Sequence, residues 1–551
     1  MKNLLTKNGI FLTLIVLLVA TSIVPCISGN NRILSNVSEN IREQESFLGD
    51  PPEEEWNYTF DGPGDDKGKY VIQTTDGGYI FLCDKIDKIG DNKLNSDLWL
   101  IKTDANGCEE WNRTYGESNF DLAKQVKQTQ DGGYILIGSI QLGSDSGDFW
   151  LIKTDSVGSV EWSQNFGGPG GDSGESVIQL SDGGYLIAGQ KYVNPKTNWD
   201  GVLIKTNKTG VEEWNHSYGG DQIDGICDIK ETIDDGYILC GSTCSFVEPS
   251  HMWDPYDAWL IKTNSEGVEQ WNHSYGTNHS YEWGFSVQQL PDGGFIVAGE
   301  LLGDGKNAGI LIRTDESGEE IWNRSYGGTY PSATTFFCIN LTFDDDFIIC
   351  GGNGYFDPQK GYFYDIWVLK TDCSGDILWE KTFGEHDYRD IGLSVAQTAN
   401  GGYIITGGIE KKDLKGSAAI LLKLSTEKKA PIPPVIVGET NGKPGSLYPY
   451  TFTSIDPDED QVSYYVDWGD GNIIDWTGFQ PSGEPHSENH TWAIKGTYII
   501  KAKAKDLDGL ESEWSELEIT MPHSYKNPFW WLNGLVNRFP LLHKLIEVLI
   551  R

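Results

Sequence analysis

Carboxylates recur at fixed places along this chain. Asp66, Asp121, Asp172, Asp224, Glu282 and Asp390 each open a short segment of alternating apolar residues, and Thr334 holds the corresponding place in a seventh. A second set, Asp97, Asp148, Asp200, Asp257 and Asp365, opens another kind of segment nearby. If the first segments line a central channel, their acids ring one mouth of it. Clustered carboxylates of that kind suit a hard cation, with calcium the expected one, or a cationic ligand. The alternative is structural: an Asp at a strand start accepts backbone N–H bonds, and its recurrence in almost every unit favours that role.

Three long loops fall on the same rim: Lys191 to Trp199, Ser245 to Tyr256 and Asn353 to Tyr364. Trp199, Trp253, Tyr256, Tyr355, Phe356 and Tyr364 are the candidate ligand-binding residues. An aromatic face buries apolar area while neighbouring carboxylates and amides orient a ligand, the composition of glycan and peptide contact surfaces. The other reading packs these rings onto the loops themselves. No HExxH, GxSxG, P-loop or dinucleotide fingerprint occurs, so no catalytic residue is named. Asp456, Asp458 and Asp460 form half a calcium loop, but Gln461 stands where its sharp-turn glycine belongs.

These residues need a scaffold, and the chain repeats one. DGGYILIG at Asp131 to Gly138 recurs from Asp76, Asp182, Asp234, Asp292, Asp344 and Asn400, at steps of 51 to 58 residues. Each unit reads as two hairpins, hence four short strands, a period that suits a propeller blade. A Trp marks the fourth strand at Trp111, Trp162, Trp214, Trp271, Trp322 and Trp379, while a seventh copy, Trp56, precedes the first repeat. The last repeat lacks such a strand, so the N-terminal segment is expected to supply it and close a ring. The expected fold class is all-β: a seven-bladed β-propeller over residues 53–425.

The LIKTDxxGxxxW pattern, at Leu151 to Trp162 and Leu203 to Trp214, resembles the tryptophan-docking repeat of pyrroloquinoline quinone-like propellers. It is still more similar to exported archaeal and bacterial propellers with DGGYI and WLIKT repeats. A Lys- and Pro-rich linker, residues 426–433, leads to residues 434–522, which resemble a polycystic-kidney-disease-type (PKD-like) immunoglobulin-like sandwich. The matching residues include Asp467-Trp-Gly-Asp-Gly471, His490, Trp492, Asp506 and Gly509. That resemblance implies a spacer or adhesion module.

Lys2, Lys7 and the apolar run Ile10 to Val24 read as a signal peptide over residues 1–29, followed by a linker over 30–52, which places the chain outside the cell or on its surface. Residues 523–551 form an amphipathic tail with a short helix after Leu541, suited to peripheral membrane or envelope contact or to docking on protein. A net charge of −39 excludes nucleic acid as a partner. Export permits disulfides, and the similar placing of Cys227 with Cys240 and of Cys338 with Cys350 predicts two bridges across hairpins. Cys244 competes for Cys227, and buried thiols are the alternative. Five glycosylation sequons, at Asn57, Asn112, Asn215, Asn272 and Asn323, directly follow a fourth-strand Trp.

The functional expectation is a non-catalytic binding or adhesion protein whose rim takes a glycan or a cell-surface protein. A carbohydrate-cleaving or quinone-dependent propeller enzyme and a structural envelope component are the alternatives. The quinone version is disfavoured by seven repeats instead of eight and by the lack of an adjacent-cysteine pair.

Overall fold

The computed structural model describes residues 51–521, apart from 63, 89–93, 117–119, 142–146, 169, 195–197, 247–255, 278–279, 304, 328–332, 385–387 and 412–415. The expected signal peptide, the tail with its helix, and Trp253 lie outside the described residues.

Every described element of regular structure is a β-strand. Most of them form seven four-stranded antiparallel sheets. Six of these are built from four consecutive strands. The seventh combines Ile391–Gln397, Tyr403–Glu410 and Ser417–Leu424 with the distant strand Glu54–Phe60, whose Trp56 pairs with Lys423 and Phe60 with Ala419. The first strands of the sheets are Lys67–Gln73, Leu122–Gln128, Ser173–Gln179, Asp224–Glu231, Ser280–Gln289, Thr334–Leu341 and Ile391–Gln397. Each packs against the first strands of its two neighbours, and the last packs against the first, so the series closes on itself.

The repeated residues explain the repeated geometry. In the second sheet, Asp131 accepts the Thr129 hydroxyl and, at 3.0 Å, the Gly133 N–H, while Gly132 takes the positive φ of 82° that this hairpin turn requires. The buried ammonium of Lys153 lies 2.9 Å from Asp131 and 3.0 Å from Glu161, joining three strands of one sheet. Lys102 does the same with Asp76 and Glu110, as does Lys205 with Asp182 and Glu213. A Lys desolvated in this way is tolerable only because both carboxylates and the Thr154 carbonyl receive its donors.

Neighbouring sheets are joined by the fourth-strand aromatics. Trp111 lies against Gly158 of the next sheet, Trp162 against Gly210 and Trp214 against Gly267, where a Cβ would meet the indole at 2.7 Å or less. Tyr115 adds a hydrogen bond of 2.6 Å to the Gly158 carbonyl, and Tyr275 repeats it with Gly318. Trp56 takes the same place against Gly107, so the N-terminal strand is joined to the ring by the contact the other sheets use.

Beyond the linker, a three-stranded and a four-stranded sheet enclose a separate core of Tyr450, Phe452, Tyr464, Trp468, Trp492 and Ile500. His490 stacks on Trp468 at 4.5 Å and meets Asp470 at 2.9 Å. Asp456 accepts the N–H groups of Asp458 and Asp460 at 2.9 and 3.2 Å, the geometry of an Asx turn.

Candidate functional site

The six first-strand acids are buried, none more than 3% exposed. Each is tied to the scaffold. Asp66, Asp121, Asp172 and Asp390 accept the backbone N–H of Ile86, Gln141, Tyr192 and Glu410 at 2.7 to 3.1 Å, all on the second strand of their own sheet or just beyond it. Asp224 accepts the Ser245 hydroxyl at 2.6 Å and the Gly220 N–H at 2.9 Å, and Glu282 accepts the Ser280 hydroxyl. The N–H groups of Asp66, Asp121, Asp172, Glu282 and Asp390 reach back to the preceding sheet, as from Asp121 to the Ser96 carbonyl at 2.7 Å and from Asp390 to the Tyr364 carbonyl at 2.7 Å. Among the described residues, no three His, Cys, Asp or Glu side chains converge as metal ligands.

These acids do meet those of the second set. Asp200 and Asp224 both face Gly219, where a Cβ would lie 3.1 Å from one carboxylate and 2.5 Å from the other. Asp97 with Asp121, and Asp365 with Asp390, are arranged alike around Gly116 and Gly384. Burial, then the neighbouring Asp224, pushes Asp200 up to about 6, and burial takes Asp257 to about 6 as well.

The rim aromatics pair with one another along extended hairpins. Trp199 packs edge-on against Tyr192 with centroids 5.4 Å apart and donates its indole N–H to the Gly171 carbonyl. Tyr256 faces Trp283 at 5.8 Å, Tyr355 stacks on Phe363 at 5.3 Å, and Phe356 leans on Tyr362 at 4.9 Å while staying 37% exposed. Tyr364 is half-buried, its N–H held by the Tyr388 carbonyl at 3.1 Å.

The four hairpin cysteines are thiols in the structure. Cys338 lies directly opposite Cys350. Cys227 sits on a bulge that leaves Asp228 opposite Cys240, so the structure does not set that second pair face to face. Asn57, Asn112, Asn215 and Asn323 are exposed on outer strands, and Asn272 is half-buried.

Sequence reasoning missed the bulges themselves. Every first strand skips register at the same place, three residues beyond its rim acid or Thr334. A bulge turns its extra residue out of the ladder. The seven residues concerned all line one cavity of about 410 Å³ at the centre of the ring. Four are polar: Lys69, Lys124, Glu175 and Cys227. Three are apolar: Phe285, Phe337 and Leu393. The constant spacing after the rim residue was a usable signal, although the residue types share nothing.

The next residue along each strand latches the ring. Gln125 accepts the Val177 N–H at 2.8 Å, Asp228 that of Val287 at 3.2 Å and Ser394 that of Val71 at 3.3 Å, each across a sheet boundary. Burial, then Glu175, raises the Cys227 thiol to about 12, with Lys124 opposing.

No family model matches this chain, and no curated protein matches it. Among solved structures, it is similar to the PKD domain of an M14-like peptidase from a Thermoplasmatales archaeon, at 47% sequence identity. The match covers 17% of this chain and 99% of that one, with a TM-score of 0.17.

Proposed function

We propose that residues 53–425 are a seven-bladed β-propeller, that residues 434–522 are the PKD-like spacer, and that the exported chain is a non-catalytic binding protein at the cell surface. The pairing of Glu54–Phe60 with Ser417–Leu424 supports the ring, because it leaves no sheet short of its outer strand. The repeated Trp, Asp, Lys and Gly residues are occupied in holding sheets together, which leaves the irregular hairpins as the surfaces free to vary.

The observation that carries the binding role is the hairpin of Phe347–Asp357 and Gly361–Thr371, which projects Phe356 and Tyr362 as an adjoining aromatic pair. Rings fixed by their neighbours lose little entropy on binding, and a sugar face or a peptide side chain can stack on them. A glycan is the ligand class this rim suits best, with a surface protein the second. A glycan array probed with the full exported chain is expected to give discrete hits that Phe356→Ala combined with Tyr362→Ala removes. Hits that survive this double substitution would place recognition elsewhere.

A further inference from the structure

The cavity inside the ring divides into two arcs. On one side lie Lys69, Lys124, Glu175 and Cys227, from four successive sheets; on the other lie Phe285, Phe337 and Leu393, from the remaining three. Phe285 and Phe337 stack with centroids 5.5 Å apart. One end of a ligand would therefore meet charge and the other an apolar wall. The volume is within the range of about 300 to 1,000 Å³ typical of small-molecule sites.

Donors and acceptors in the polar arc are not balanced. Asp84 accepts Lys69 at 2.9 Å on one oxygen and the Ala123 N–H at 2.8 Å on the other. Glu175 accepts Lys124 at 2.7 Å and the Ser173 hydroxyl at 2.8 Å. Asp228 takes Lys230, the Ser176 hydroxyl at 3.0 Å and the Val287 N–H at 3.2 Å. Each carboxylate oxygen already has a donor.

The ammonium groups are in the opposite condition. Each carries three donors, and among the described residues Lys69 and Lys124 spend theirs on a single carboxylate apiece. Their side chains stay 26% and 31% exposed, on adjacent strands of the cavity wall. Lys127, nearby, meets only the Tyr70 hydroxyl, at 2.6 Å. Three lysines, 69, 124 and 230, line the cavity beside two carboxylates, Glu175 and Asp228, in a chain of net charge −39. Burial works against the Lys124 ammonium, but Glu175 outweighs it and keeps the group charged. Lys69 and Lys124 therefore have donors to give, while every carboxylate oxygen beside them already receives one, an arrangement that suits an anion.

We infer that this cavity binds a small organic acid, with its carboxylate held by Lys69 and Lys124 and its apolar or aromatic body against Phe285, Phe337 and Leu393. The site is separate from the rim and stands or falls independently of the glycan reading.

Saturation-transfer NMR and calorimetry on the full chain test it, with phenylacetate as the probe, benzylamine as its cationic counterpart and acetate as the headgroup alone. Phenylacetate is expected to bind saturably, acetate at least about tenfold more weakly, and benzylamine not at all. Lys124→Gln together with Glu175→Gln keeps a hydrogen bond across the seam but deletes both charges, and should weaken phenylacetate about tenfold. Leu393→Trp leaves every ion pair intact while filling the apolar arc, and should abolish binding even if the first variant folds poorly. The proposal is overturned by benzylamine binding as tightly as phenylacetate, by no saturable phenylacetate binding at millimolar concentration, or by binding that persists in Leu393→Trp.

Discussion

The indole of Trp56 lies against Gly107, so close that a Cβ at position 107 would stand 2.6 Å from the ring. Gly107 also adopts a φ of 79°, which an L side chain resists. The contact joins the first strand of the chain to the first complete sheet. Trp56→Ala is therefore expected to destabilise the ring by about 3 kcal/mol, and deletion of residues 53–62 to do far more. Urea unfolding measures both; a truncated ring that melts like the intact one contradicts the closure.

Cys338 and Cys350 are direct cross-strand partners, so their side chains leave the same face of the sheet. The Cys350 thiol bonds the Cys338 sulfur and draws its pKa below the usual thiol value, with burial opposing. Under a glutathione redox buffer, non-reducing peptide mapping should recover this pair as a disulfide, worth about 3 kcal/mol in the chain-entropy account. The pair Cys227 and Cys240 should stay alkylatable. Recovering the second bridge in place of the first reverses the expectation.

Stability should pass through a maximum in mildly acidic solution. Asp200 and Asp257 titrate near 6 in the fold, above the unfolded value of about 3.9, so the folded state binds extra protons between those limits. Their unfavourable contribution grows as pH rises above about 3.9 and is complete once pH has passed 6. Asp131 runs the other way: burial resists its ionisation, but Thr129 and Lys153 outweigh burial and hold it at about 2, so its contribution is present above 3.9 and fades as pH falls toward 2. Melting temperatures across pH 3 to 8 check this, and Asp200→Asn should flatten the decline on the neutral side.

The sequons should differ in occupancy. Asn112 and Asn272 accept indole N–H groups from Trp99 and Trp259 at 3.1 and 3.3 Å, while the side chains of Asn57, Asn215 and Asn323 are held by a glutamate three residues earlier. Asn112 and Asn272 also donate to a glutamate three residues earlier, so the indole bond is what sets them apart. In a glycosylating host, glycopeptide mapping is expected to show higher occupancy at Asn57, Asn215 and Asn323, whose amides lack it among the described contacts. Equal occupancy at all five would show that these contacts do not matter.

Much of the architecture was legible because each repeated residue has one physical task in every copy. Asp131 forms its turn, Lys153 ties three strands together and Trp162 docks on a glycine, so the period and the missing outer strand could be read directly. The acids from Asp66 to Asp390 recur equally well, but recurrence cannot distinguish a side chain aimed at a channel mouth from one holding a backbone N–H. The cavity wall was illegible for the opposite reason. Lys69, Glu175, Cys227 and Phe337 share a position and no chemistry, and a bulge leaves the alternation on either side looking unbroken. The same kind of bulge turns Cys227 out of line with Cys240, which the spacing of the two cysteines does not reveal.

The seam between Glu54–Phe60 and Ser417–Leu424 also fixes how the molecule bears a load. Glu54 pairs with Leu424 and the Ser425 N–H bonds the Glu53 carbonyl at 2.8 Å, so the two ends of the ring leave it side by side. Tension between them would peel the two strands apart one rung at a time, starting from the outermost rung, instead of shearing the whole ladder at once. The ring is a zip fastener whose tab lies at its own tether.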